Sequence, residues 1–364
     1  MYDANELAIY IHWPFCKSKC PYCDFFKQIN PKVNQREIID EYIVSLQRYK
    51  NIVPQRKIKS IFFGGGTPSL MEPRYVAQII DEISSLWNVK NDCEISLEAN
   101  PNSHHKTMFR DLHNAGINRL SLGVQALNEA DLRFLGRTHS LEQARFCIEE
   151  IVKEFNNHSV DLIYARPEQK IAQWQNELTE ICGYGLKHIS LYQLTIEEGT
   201  VFAKKGIKAL NEEEATQLYD FTRDFLGTYG YEHYEISNFA YSGFQSKHNL
   251  TYWQGGDYIG IGQSAHGRLH LNGKHIATEY PFAEEELSAQ QRAQELIIMG
   301  LRLISGINKA DFKAICGLDF DVFVNKENLQ QLVEAQLVEN NTEFIKTTKH
   351  GILLTDEIIR QLCF

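Results

Sequence analysis

Cys16, Cys20 and Cys23 stand within eight residues, directly after the apolar run 7–11. Spacings of three and two intervening residues let one short loop turn all three thiolates inward onto a metal centre without a long chain closure. A structural zinc ion takes four ligands, and no second Cys pair or Cys–His pair stands nearby to complete a tetrahedron. A four-iron cluster held by three cysteines would keep one iron open to a small molecule. A zinc or redox loop is the blander alternative. The remaining cysteines, Cys93, Cys147, Cys182, Cys316 and Cys363, show no pairing rhythm and read as isolated core thiols of a reducing compartment.

The elements that must position this loop alternate. Strand signals at 7–11, 58–63, 94–99, 119–124, 159–163 and 188–194 are separated by helical periodicity at 36–49, 74–87, 106–115, 129–135, 141–154 and 171–183. Six β-α units are too few for a closed eight-unit barrel, so the fold class expected is α/β, an open, partial (β/α)6 TIM-like barrel. Its functional groups should gather at the strand C-terminal ends. Cys16, Gly65, Glu98, Gln125 and Asp161 all fall at or just past such an end.

Beyond residue 200 the rhythm changes. A helix is expected at 211–229 with Asn211 as its cap, extended segments at 232–239 and 257–262, and a hairpin about Asn272–Gly273. From about Leu287, two or three helices and a hairpin about His350–Gly351 suggest a small C-terminal helical, winged-helix-like domain. The expected division is residues 1–210 as the barrel, 211–286 as a barrel extension and 287–364 as the C-terminal domain. At 43% hydrophobic and 23% charged residues, with formal charge −10, the chain is an ordinary globular protein without the clustered Lys and Arg that a nucleic-acid surface needs. No signal peptide and no window of about 18 uninterrupted apolar residues is present, which reads as a cytoplasmic protein with no membrane anchor.

Gly64, Gly65, Gly66, Thr67 and Pro68 close the second strand. Their backbone can approach a ligand closely, although a tight strand-to-loop turn explains such a run as well. It is not a phosphate loop, because Gly-Lys-Ser/Thr is absent. Taken together, residues 10–23, 64–68, 97–101, 121–125 and 161–167 resemble the radical S-adenosylmethionine superfamily, and within it the oxygen-independent coproporphyrinogen III oxidase-like group, over nearly the full chain. That resemblance implies a [4Fe-4S] cluster on Cys16, Cys20 and Cys23 whose open iron takes the amino and carboxylate groups of S-adenosyl-L-methionine, with radical chemistry that belongs to the cofactor. It assigns Tyr10, Gly65 and Glu98 to a first S-adenosylmethionine, and Tyr22, Gly66, Thr67, Gln125, Arg137 and Asp161 to a second. Blander roles exist: Tyr10 as core, Arg137 as a solvated helix charge, Asp161 as a cap.

Departures from the group discriminate between its branches. The oxidases proper carry a further Cys two places after the third, where this chain has Phe25, and a longer segment ahead of the first strand, where 15 residues precede Cys16. Both features resemble the haem chaperone branch. His248, Asn249, Tyr252 and Trp253 match the H-N-x-x-Y-W motif linked with haem in that branch; His can ligate haem iron, and Tyr and Trp offer flat apolar surface. His266, in a glycine-rich turn, is a second candidate ligand. The function implied is a haem chaperone with haem as cargo, haem-acceptor proteins as partners and an electron donor for the cluster. The alternative is oxidative decarboxylation of coproporphyrinogen III. One more departure stands at Ala165 and Arg166, where the group has Gly-Leu. If that position takes positive φ, Ala165 strains the loop by roughly 1 kcal/mol or more, which bears on the second S-adenosylmethionine and on radical turnover.

Overall fold

Strand β1, Glu6–Trp13, is apolar along most of its length because both of its faces are covered, and Leu7, Ala8, Ile9, Ile11 and Trp13 are fully buried. A computed structural model of the chain describes residues 2–30, 33–101 and 107–363. In it, β1 is followed by β2 (Lys57–Gly65), β3 (Asn88–Ala99), β4 (Arg119–Gln125), β5 (Asn157–Tyr164) and β6 (His188–Gln193). These six lie side by side in sequence order, each parallel to the next. Helices Gln35–Ile52, Pro73–Leu86, Met108–Asn114, Leu141–Glu154 and Ile171–Gly183 make the crossovers. Each turns an apolar stripe to the sheet; in the second, Val76, Ile79, Ile80 and Ile83 are the buried positions. Lys106, the expected start of the third helix, lies outside the described residues.

The α/β reading holds, and the sheet extends further than six strands. Beyond β6, the antiparallel pair β7 (Glu232–Glu235) and β8 (Asn238–Ala240) forms one edge. On the other side β9 (Tyr258–Ile261) pairs parallel with β1, and β10 (His266–Leu271), β11 (Lys274–Glu279) and β12 (Ala283–Leu287) continue as an antiparallel meander. Among the described residues the order is β12-β11-β10-β9-β1-β2-β3-β4-β5-β6-β8-β7, with edges that do not meet. The hairpin about Asn272–Gly273 is present, both residues at positive φ as a tight two-residue turn requires. Asn211 caps helix Glu212–Thr228 by accepting from the Glu214 N–H at 2.9 Å.

The C-terminal region packs a core of its own, from Ala293 to Leu362. Helices Ala289–Gly300, Lys309–Cys316, Lys326–Glu334 and Thr355–Cys363 surround a three-stranded sheet of Ile307–Asn308, Phe344–Thr347 and Val338–Asn340. The hairpin expected about His350–Gly351 is not formed. Phe344–Thr347 pairs backward with Val338–Asn340, and Gly351–Leu354 is a 3-10 turn leading into the last helix. The burial pattern explains it: Ile352 and Thr355 are buried while Leu353 and Leu354 are exposed, a helical rather than an alternating spacing.

Among the described residues no helix is long and apolar enough to cross a membrane.

Candidate cofactor site

The loops at the C-terminal ends of β1 to β6 enclose a cavity of about 470 Å³, within the range of roughly 300–1,000 Å³ common for ligand pockets. Backbone pairing fixes the Cys loop over it. Phe15–Cys16 runs parallel to Gln28–Ile29, and the N–H groups of Gly66 and Thr67 donate to the carbonyls of Trp13 (2.7 Å) and Phe15 (2.9 Å). This approach explains Gly66: a Cβ there would stand 2.7 Å from the Phe15 carbonyl oxygen and 2.9 Å from that of Trp13. Gly65, at φ +107°, turns its N–H to Glu98 Oε2 at 3.2 Å.

Cys16, Cys20 and Cys23 all line the cavity, as do Gly65, Glu98, Tyr22, Gly66, Thr67, Gln125, Arg137 and Asp161. Tyr10 does not. It lies beneath the cavity floor, its hydroxyl 3.0 Å from His12 Nδ1 and its ring against Phe62. Among the described residues no three His, Cys, Asp or Glu side chains are grouped as a single-ion site. Polar hydrogens already face two of the sulfurs. Thr67 Oγ1 donates to Cys16 Sγ at 3.4 Å, and Arg137 Nη1 lies 3.5 Å from Cys20 Sγ and 3.3 Å from the Tyr22 hydroxyl. Arg137 Nη2 donates to the Gly123 carbonyl at 2.9 Å and to Asn100 Oδ1. Asn100 in turn donates to Thr67 Oγ1 at 3.2 Å. Asn100 stands just past the end of β3, the same kind of position that marks Glu98 in the sequence.

The floor is electrostatically tense. Burial, then the charge of Asp161, pushes the Glu98 carboxyl up to about 8, against the pull of the Gly65 N–H. Burial also raises Asp161, tempered by the Ser121 hydroxyl, which donates to Asp161 Oδ1 at 2.9 Å. Burial raises the Cys16 thiol, and the Thr67 hydroxyl opposes it. Gln125 sits at φ +72° at the rim, an uncommon conformation for a side-chain-bearing residue.

Ala165 and Arg166 lie behind the cavity, outside its lining. Arg166, 1% exposed, pairs with Glu177 and, at 3.3 Å, with Asp131. Glu177 also accepts the Leu127 N–H at 2.8 Å, so this ion pair ties the loops after β4 and β5 to helix Ile171–Gly183. Ala165 takes φ +55°. Ala165→Gly relieves roughly 1–2 kcal/mol of left-handed strain and returns about 0.4–1 kcal/mol of unfolded-chain entropy. A net gain of about 0.5 kcal/mol is expected, read as a higher midpoint in denaturant.

The haem-associated motif forms a short helix, Lys247–Trp253, at the other end of the sheet. Glu94 of β3 accepts from the N–H groups of Lys247 (3.1 Å) and His248 (3.2 Å) at its start. His248 is 1% exposed, stacked on Phe62. Its Nδ1 lies 2.9 Å from Ser60 Oγ and its Nε2 2.6 Å from the Tyr252 hydroxyl. In this fold neither ring nitrogen faces open space. Asn249 is half-buried, and of the four motif residues Trp253 alone borders a cavity, a second one of about 340 Å³ against the C-terminal region. His266 is exposed at the start of β10.

An open parallel sheet whose C-terminal loops bring three cysteines and a glycine-rich turn to one cavity is the architecture of a radical S-adenosylmethionine protein. Residues 10–181 match the Radical SAM superfamily profile, and residues 287–354 match that of the HemN C-terminal domain. The coproporphyrinogen III oxidase HemN from Escherichia coli superposes with a TM-score of 0.80 over 98% of this chain and 89% of that one, at 20% identity, a likeness of fold. Among curated relatives, the "Heme chaperone HemW" of Haemophilus influenzae is 33% identical, covering 97% of both chains. That of Buchnera aphidicola subsp. Schizaphis graminum is 32% identical over 99% of both. The mitochondrial "Radical S-adenosyl methionine domain-containing protein 1" of Bos taurus is 32% identical over 99% of this chain and 88% of that one. The chain belongs to the radical S-adenosylmethionine superfamily, in the HemW branch of its coproporphyrinogen oxidase-like group.

Proposed function

We propose that this protein is a cytoplasmic haem chaperone that binds a [4Fe-4S] cluster and S-adenosylmethionine and passes haem to acceptor proteins. The observation that carries the cofactor half is the convergence of three thiols, Gly65 and Glu98 on one cavity. The donor set fits the group. Three thiols line one cavity, with the Thr67 hydroxyl and the Arg137 guanidinium facing Cys16 and Cys20. Three is the ligand number of a four-iron cluster with one open iron, and one short of the four that a structural zinc ion takes. Bound there, the cluster would supply one-electron reduction.

The residues around it would do the rest. Glu98 and Gly65 would orient the amino-acid end of S-adenosylmethionine, while Tyr22, Gly66, Thr67, Gln125, Arg137 and Asp161 form the wall that a second molecule would meet. Because the Thr67 and Arg137 donors already serve the Cys loop, we read these two chiefly as supports of the cluster ligands. Residues 1–210 are proposed as the cofactor barrel, 211–286 as its extension and 287–364 as a packing domain. The haem half rests on relatives that carry the name of haem chaperone along their whole length.

Anaerobic titration of the reconstituted protein with haem, followed by transfer to apo-acceptors, tests the reading. Saturable haem binding and transfer are expected. Conversion of coproporphyrinogen III to protoporphyrinogen in the presence of reductant and S-adenosylmethionine would instead make the protein an oxidative decarboxylase.

A further inference from the structure

The Cys loop carries an apolar face that its fold does not bury. Phe25 is 66% exposed, Phe26 41% and Ile29 49%. Among the described residues no other stretch of five exposes three large apolar side chains. The loop is pinned rather than loose: Gln28–Ile29 pairs with Phe15–Cys16, the Gln28 N–H donates to the Pro14 carbonyl at 2.7 Å, and Lys27 Nζ donates to the Cys23 carbonyl at 3.2 Å. Phe25 and Lys27 also line the cofactor cavity. Residues 16–30 hold Lys17, Lys19 and Lys27 against Asp24 alone, in a chain of formal charge −10. An exposed apolar patch with a basic rim marks a binding surface.

We propose that this lip is where haem docks, its macrocycle against Phe25, Phe26 and Ile29 and its propionates toward the lysines. The placement rests on the reading of haem as cargo. The charge pattern selects the occupant: haem is a flat apolar plate with two carboxylates, which the exposed apolar face and the basic rim complement. The competing locations fit less well. His248 has both ring nitrogens engaged in a closed core. The second cavity, bordered by Trp253, is lined by Asp3, Glu6, Asp257 and Asp311, and its one lining cation among the described residues, Lys59, is already paired with Glu6 at 3.2 Å, so it offers no cationic cluster to propionates.

Haem titration followed at the Soret band tests the placement on wild type, a Phe25→Ser/Phe26→Ser double variant and a Lys17→Glu/Lys19→Glu double variant, each with its iron and sulfide content measured. Losing two rings that haem would cover, or reversing two charges, is expected to weaken haem at least about tenfold. Metal-free protoporphyrin should bind wild type and lose affinity in the same variants, because the lip reads plate and carboxylates rather than iron. Rising salt should weaken wild type and have less effect on the lysine variant. Should the phenylalanine pair disturb cluster assembly, the lysine pair and the salt series still report. Wild-type affinity in both variants, with cluster intact, would overturn the placement. Unchanged haem affinity with lost reduction by an acidic donor protein would also overturn it, and assign the lip to that donor. A wild type that binds no haem sinks the cargo reading itself.

Discussion

A Cys20→Ser variant, reconstituted anaerobically with iron and sulfide, should lose essentially all of its bound iron and the cluster's charge-transfer absorption. A Cys182→Ser variant should keep both. Cluster iron is held by thiolate, and a serine hydroxyl does not ionise at neutral pH, so one of three ligands is removed outright. Cys20 lines the cavity, with Arg137 Nη1 3.5 Å from its sulfur. Cys182 is the contrasting case: burial pushes its thiol up to about 12, with no cation to oppose it. Cys93 and Cys147 are held near 12 by burial first and then by Glu94 and Glu150, and Cys363 near 11 by burial. These four cysteines lie outside the cavity that Cys16, Cys20 and Cys23 share. Full iron retention in Cys20→Ser would mean that the centre is held elsewhere.

The three thiols were legible because chemistry leaves few readings for such spacing. Glu98, Gln125 and Asp161 were legible for a different reason: a parallel sheet sends every strand end to one face, so sequence position after a strand becomes position around a cavity. Arg137 follows no strand directly and was reached only through resemblance. What stayed hidden involved partners distant in sequence. The sixfold alternation says nothing of β9, whose parallel pairing with β1 joins Ala8 to Tyr258 and Ile11 to Ile261. The start of β3 at Asn88 was missed because Lys90, Asn91 and Asp92 look like a loop; its register with Lys57 and Ile58, and the ion pair of Lys90 with Glu6, make it strand. The motif helix is too short for periodicity to reveal, although Ser246, whose side chain accepts the Asn249 N–H, is a cap visible in the sequence.

His248→Ala should destabilise the protein by about 3–5 kcal/mol, through a cavity and two buried hydroxyls left without partners. It should leave the Soret spectrum of any bound haem unchanged. The imidazole fills a closed space between Phe62, Ser60 and Tyr252, so its removal is a packing lesion first. A pH signature separates this from ligation. Burial, then Lys59 and Arg119, lowers His248 from 6.5 to about 3, so below about 6.5 the unfolded chain binds a proton that the folded one refuses. Stability from this residue is therefore full at neutral pH and drains away as pH falls from about 6.5 toward 3. The variant lacks that loss. Its deficit relative to wild type should be largest near neutral pH and shrink on acidification, measured by denaturant unfolding at about pH 7.5 and about pH 5.5. A variant of wild-type stability with an altered Soret band would reverse the conclusion: the helix would then open, and His248 would meet haem iron directly.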